Sequence, residues 1–213
     1  MSKNQQAVQN IAPAEAANNN SPVVRPSKEE AMEAVRTLIR WAGDDPSREG
    51  LIDTPKRVVN AYREFFAGYE DDPVEILSRT FEDVQGYDDI VLLKNMRLES
   101  HCEHHMVPIL GEVHIAYIPS EKVVGISKIA RLVDVFGKRL QTQEVFTVQL
   151  AETIERVLEP KGVAVLVDAG HQCMTTRGVH KTDTNTVTSW MTGVFKQDPA
   201  RRAEFMSLIQ PKR

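Results

Sequence analysis

Cysteine is nearly absent from this 213-residue chain, which carries only Cys102 and Cys173. Two cysteines so far apart build no disulfide framework, which excludes the small cross-linked secreted scaffolds and suggests a reducing compartment, the cytoplasm. No apolar run approaches the length that spans a bilayer, so a membrane partner is not expected. The first residues, Met-Ser-Lys-Asn-Gln-Gln, lack the apolar core of a secretory signal. Basic excess is lacking too. With 26 Lys and Arg against 30 Asp and Glu, the formal charge is −4. A generally basic protein is thereby excluded and a nucleic-acid partner is not expected, although a local basic cluster can still hold a small anion. Internal repeats are missing.

What remains is an ordinary globular composition, 41% apolar, in a length that suits one domain plus an arm. Residues 1–26 are rich in Asn, Gln, Ala and Ser and hold Pro13, Pro22 and Pro26. They read as a flexible N-terminal arm. Ser27-x-x-Glu30 is a capping box, followed by Met32, Val35, Leu38, Ile39 and Ala42 at helical spacing. Thr54-Pro55 starts a second helix, with Val58, Val59, Tyr62, Phe65 and Phe66 on its apolar face. Arg57, in its first turn, reads by spacing as a solvated charge.

The segment Glu99-Ser100-His101-Cys102-Glu103-His104-His105-Met106-Val107-Pro108 holds three of the six histidines and half of the cysteine. Cys102 and His105 stand two residues apart, within reach of one turn. Thiolate sulfur and imidazole nitrogen are donors that zinc prefers. The same stretch also reads as a polar turn around a buried free cysteine. A strand from Ile90 runs into it, and the alternation over 111–118 predicts the antiparallel return strand, with His114 on a strand face.

Gly125-Ile126-Ser127-Lys128 opens a helix that Ser127 can cap, with Ile129, Leu132, Val133, Phe136 and Leu140 as its stripe. Lys128 and Arg131 gain nothing from the dipole at a helix start. They suit an external anion such as phosphate, or a solvated basic face. Thr142-Gln143-Glu144 starts another helix, with Val145, Val148, Ile154, Val157 and Leu158 inward. Val163–Val167 is a buried strand running toward His171, Cys173 and Arg177, which share one side if the chain stays extended. Cys173 is then the best third ligand for Cys102 and His105. Thr184–Met191 reads as a final strand and Asp198–Ile209 as a closing helix. The sum is α+β. Three such ligands leave one zinc position open for a water of lowered pKa, and the residues alone reach a zinc hydrolase acting on a phosphorylated small molecule.

Several motifs, in order, resemble those of the GTP cyclohydrolase I family: Ser100-x-Cys102-Glu103-His104-His105-x-x-Pro108, Gly125-Ile126-Ser127-Lys128-Ile129-x-Arg131, Gln141-x-Gln143-Glu144 and His171-x-Cys173-x-x-x-Arg177-Gly178. The Thr54-Pro55-x-Arg57 helix start resembles it as well. The resemblance covers residue 27 onward, with a helical part over 27–85 and a catalytic part over 86–213. It implies a tunnelling fold (T-fold), an antiparallel sheet with two helices packed on it, whose sheets join into a barrel in a toroidal homo-oligomer, a decamer of two pentamers. It implies conversion of GTP to formate and 7,8-dihydroneopterin triphosphate, the first step toward folate and related pterins. Zinc would be held by Cys102, His105 and Cys173. His171 and His104 would move protons, and Ser127 would act in the sugar rearrangement. Glu144, helped by Gln143, would accept from the guanine N–H groups. Lys128, Arg131 and Arg177 would hold the triphosphate, with Arg57 reaching in from a neighbouring subunit. Two other readings compete. One is a different T-fold enzyme with Cys102 as nucleophile. The other is a binding module whose structural zinc takes His104 or His171 as fourth ligand.

Overall fold

A computed structural model describes residues 24–81 and 86–210. The expected arm therefore lies outside the described residues up to position 23. The chain divides into two compact units, Met1–Val59 and Asn60–Arg213.

In the first unit, helix α1 (Lys28–Trp41) starts at the expected capping box. Ser27 Oγ accepts from the Glu30 amide at 3.2 Å, and the Ser27 amide donates to Glu30 Oε2 at 2.8 Å. The amphipathic pattern is present, yet α1 has no buried residue, and Leu38 and Trp41 stand exposed. Asp44 and Arg48 close the turn that follows, at 2.7 Å. Helix α2 (Thr54–Phe65) begins at Thr54-Pro55 as expected and carries the chain into the second unit.

The second unit is built on a sheet. After a short helix α3 (Pro73–Leu77), strand β1 (Thr80–Phe81) pairs with β4 (Val123–Val124). The long strands β2 (Val91–Cys102) and β3 (Pro108–Ile118) form the expected hairpin. Helix α4 (Ile126–Gly137), strand β5 (Leu140–Gln141) and helix α5 (Gln143–Leu158) follow. Then come β6 (Gly162–His171), a single turn α6 (Gln172–Thr175), β7 (Asn185–Met191), and helices α7 (Gly193–Gln197) and α8 (Pro199–Ile209). The main sheet runs β5-β2-β3-β6-β7, antiparallel except for the β5–β2 pair. The class is α+β, as expected.

Two apolar layers follow from the two-residue period of β3 and β6. Val113, Ile115, Tyr117, Val163, Val165, Val167 and Ala169 face the cluster that holds Ile129, Leu132 and Phe136 of α4 with Phe146, Leu150 and Ile154 of α5. Ala116, Ile118, Ala164 and Leu166 face Phe195 and Phe205 of the C-terminal helices. Each large side chain so buried contributes about 1.5–3 kcal/mol. The sheet is thus covered on both faces over part of its length.

Several local expectations need correction. Ser127 does not cap α4: Gly125 is the N-cap, no side chain bonds there, and Ser127 is the helix's second residue. Val145 faces outward, because α5 turns Phe146, Leu150 and Ile154 into the core instead. The chain after β6 does not stay extended, because it winds into α6. Gly111 answers a close approach: a Cβ there would meet the Asp168 carbonyl and Ala169 across the β3–β6 ladder.

Candidate metal centre and active site

Strand β2 ends at Cys102, and the chain must reverse within five residues to reach Pro108. The Cys102 amide donates to the Val107 carbonyl at 2.9 Å, and the Met106 amide to the Cys102 carbonyl at 2.8 Å. Met106 takes φ 54°, the left-handed conformation that a tight reversal demands. This winding buries Cys102 and leaves His104 and His105 exposed.

The neighbouring elements are tied to that turn through backbone. Strand β5 pairs His101 with Leu140 and Cys102 with Gln141, and the Glu103 amide donates to the Gln141 carbonyl at 3.1 Å. Helix α5 starts two residues later, capped by Thr142 Oγ1 accepting from the Val145 amide. Gln143 and Glu144 are thereby delivered beside the turn. From the other side, β3 holds Ile109 opposite His171, the last residue of β6, and α6 then carries Cys173.

The donor atoms of Cys102, His105 and Cys173 all lie within 4.8 Å of one another. Cys102 Sγ is 3.9 Å from His105 Nδ1. A tetrahedral zinc with ordinary bond lengths would separate such atoms by about 3.6–3.8 Å. Two soft sulfurs and an imidazole within this span fit such an ion by donor chemistry and by spacing. Burial pushes the Cys173 thiol above its usual value, with the nearby Cys102 adding to the rise.

Arg177 Nη1 lies 3.0 Å from His105 Nε2, so the cation joins the cluster. His171 joins through a different partner: its Nε2 is 2.8 Å from Gln143 Oε1. Gln143 is buried, and its Nε2 donates to the Val167 and Thr186 carbonyls and to Thr188 Oγ1, at 3.2, 2.8 and 3.2 Å. Burial pushes the His171 imidazole below its ordinary value, and the Glu144 carboxylate opposes part of that shift. Glu144 itself is exposed. The His104 ring centre is 6.4 Å from that of His105, and its Nε2 is 3.9 Å from Glu103 Oε1.

Other expected site residues stand apart from these contacts. Ser127, Lys128 and Arg131 occupy the first turns of α4, and among the described residues no hydrogen bond or ion pair joins them to the cluster. Arg57 belongs to the first unit, where it pairs with Asp53 at 3.4 Å. Two further polar groups lie beside the ligands. Ser100 Oγ and His101 Nδ1 are buried without a hydrogen-bond partner among the described residues, and the His101 ring lies 4.8 and 5.2 Å from those of Phe65 and Phe66.

Fold and site together define an α+β chain with a three-donor set, able to hold a metal ion, at one end of its sheet. The family model of GTP cyclohydrolase I matches residues 31–210. GTP cyclohydrolase 1 of Maricaulis maris is 61% identical over 186 residues, 87% of this chain and 91% of that protein. GTP cyclohydrolase 1 of Hyphomonas neptunium is 63% identical over 186 residues, 87% of this chain and 90% of that protein. Among solved structures, the archaeosine synthase QueF-Like in the apo form gives a TM-score of 0.42 at 25% identity, covering 49% of this chain and 93% of that one. The chain belongs to the GTP cyclohydrolase I family.

Proposed function

We propose that this chain converts GTP to formate and 7,8-dihydroneopterin triphosphate at a zinc centre held by Cys102, His105 and Cys173. The observation that carries the reading is the approach of those three donors to within 4.8 Å, in a chain of this family. Zinc would supply Lewis-acid activation of water for opening the guanine imidazole ring.

The chain's own residues divide the remaining work. His171 holds and delivers the proton that the purine N7 takes up as the ring opens, in a half-buried position beside Glu144. Glu144 accepts from the guanine N–H groups, and adenine, with another donor pattern, leaves that carboxylate unpaired. Arg177, Lys128 and Arg131 bind the triphosphate as charge-assisted donors. His104, exposed in the turn, exchanges protons during ring opening and the sugar steps. Ser127 acts in the sugar rearrangement. Arg57 would complete the phosphate site from a neighbouring copy.

The proposed organisation is an arm over 1–26, a helical part over 27–85 and a catalytic part over 86–213 with the T-fold. Its sheets would join through edges such as β7 into a decameric toroid of two pentamers, since an unpaired edge otherwise invites uncontrolled association. The test follows formate release from GTP, and neopterin fluorescence after oxidation and dephosphorylation. Both products should appear with the zinc-loaded protein and vanish in a chelator-stripped control. Neither product from the loaded protein would overturn the reading. Formate without a pterin would restrict it to ring opening.

A further inference from the structure

Gln143 carries a role that its place beside Glu144 does not announce. Its amide nitrogen faces two backbone carbonyls, Val167 at 3.2 Å and Thr186 at 2.8 Å. A carbonyl can only accept, so the amide cannot be turned over without setting oxygen against oxygen. The hydroxyls around it agree. Thr147 Oγ1 donates to the Gln143 carbonyl at 2.7 Å, so it accepts from Thr188 Oγ1 at 2.6 Å. Thr188 Oγ1 has then used its proton and accepts from Gln143 Nε2 at 3.2 Å. The donors run one way around a closed ring, with the two amide protons of Gln143 shared among three acceptors.

This leaves Gln143 Oε1 as an acceptor aimed at His171 Nε2, 2.8 Å away. We infer that Gln143 is a positioning residue: its Oε1 accepts from His171 Nε2–H, which fixes the ring and leaves Nδ1 as the nitrogen available to substrate. The buried amide orients the ring as an outer partner orients a ligand or a base. Both amide ends already have partners within the protein, which leaves Glu144 as the freer group to meet the guanine. The inference rests on the proton-transfer role proposed for His171.

Two measurements test it. A histidine-selective 15N spectrum of the zinc-loaded protein, with His171 assigned by its loss in His171→Ala, should show neutral His171 protonated at Nε2. Protonation at Nδ1 would overturn the inference without any appeal to activity. Gln143→Met keeps the side-chain length and removes the acceptor. It should lower kcat for formate release by about 10- to 100-fold, with KM for GTP within roughly twofold. A raised KM with unchanged kcat would overturn the inference in favour of guanine binding. Normal turnover by His171→Ala would instead remove the reading of His171 on which the inference stands.

Discussion

Arg177 Nη1 and His105 Nε2 lie 3.0 Å apart, which joins a guanidinium on the segment after α6 to a metal-ligand candidate on the β2–β3 turn. A guanidinium only donates, so Nε2 is the acceptor here and Nδ1 carries the imidazole proton; a metal on Nδ1 would move that proton to Nε2 and turn Arg177 to another acceptor. The nitrogen toward Cys102 is Nδ1. A positive charge thus stands at the edge of the donor set.

If Arg177 holds the triphosphate, Arg177→Ala should weaken GTP binding and leave the metal in place. Hydrogen bonds to charged groups are worth about 1.5–3 kcal/mol, so KM should rise roughly 10- to 100-fold. Zinc content by atomic absorption should match the parent. An unchanged KM would remove Arg177 from the phosphate site.

Glu144 gives a different separation. It is exposed at the second position of α5, where a carboxylate gains from the helix dipole. Glu144→Ala should cost no more than about 1 kcal/mol of stability. Leaving the guanine donors unpaired should cost about 1–3 kcal/mol of binding. Thermal melting beside GTP titration checks both numbers. A large fall in melting temperature with intact GTP affinity would make Glu144 a structural residue.

His114 sets a pH dependence away from the metal centre. Its Nδ1 accepts from the Asn95 amide at 3.2 Å, at the bulge where β2 shifts register between Leu93 and Met96. Burial pushes it below its ordinary 6.5; Glu112 and Asp168 pull it back up and Lys94 adds to the fall. Below 6.5 the unfolded chain takes a proton that the folded chain refuses. Stability is thus complete above that value and declines as pH falls, until the folded imidazole itself titrates. His101 and His171 are shifted the same way and add to the slope. His114→Gln should therefore lose less stability than the parent between about pH 8 and about pH 5.5 in urea unfolding. Equal losses would show that His114 titrates alike in both states.

The elements that the sequence announced are those with strong local signals. The Ser27–Glu30 box and the Thr142 start were legible because their side chains satisfy amides of their own helices, and the Thr54-Pro55 start because the fixed φ of proline suits a first turn. The β2–β3 hairpin was legible from alternation. What stayed hidden depends on partners distant in sequence. Two-residue strands such as β5 carry no periodicity, and the helical turn after His171 breaks the extended reading of the third ligand while still bringing Cys173 to the cluster. Gln143 looked like a companion of Glu144. Its neighbours Val167, Thr186 and Thr188 lie 24, 43 and 45 residues away along the chain. Ile126 at 68% exposed and Val145 at 45% exposed show the converse, apolar residues on helices that the fold leaves uncovered.

The two-residue strand β5 has a consequence for how this site can change. It fixes the Cys102 turn to the start of α5 by backbone pairing, through Gln141 opposite Cys102 and the Glu103 amide on the Gln141 carbonyl. The distance from the metal donors to the residue that would meet the base is then indifferent to which side chains occupy either end. Exchange of Glu144 should then leave the Cys102, His105 and Cys173 donors in place, whereas an insertion between Gly137 and Gln143 would disturb both ends at once.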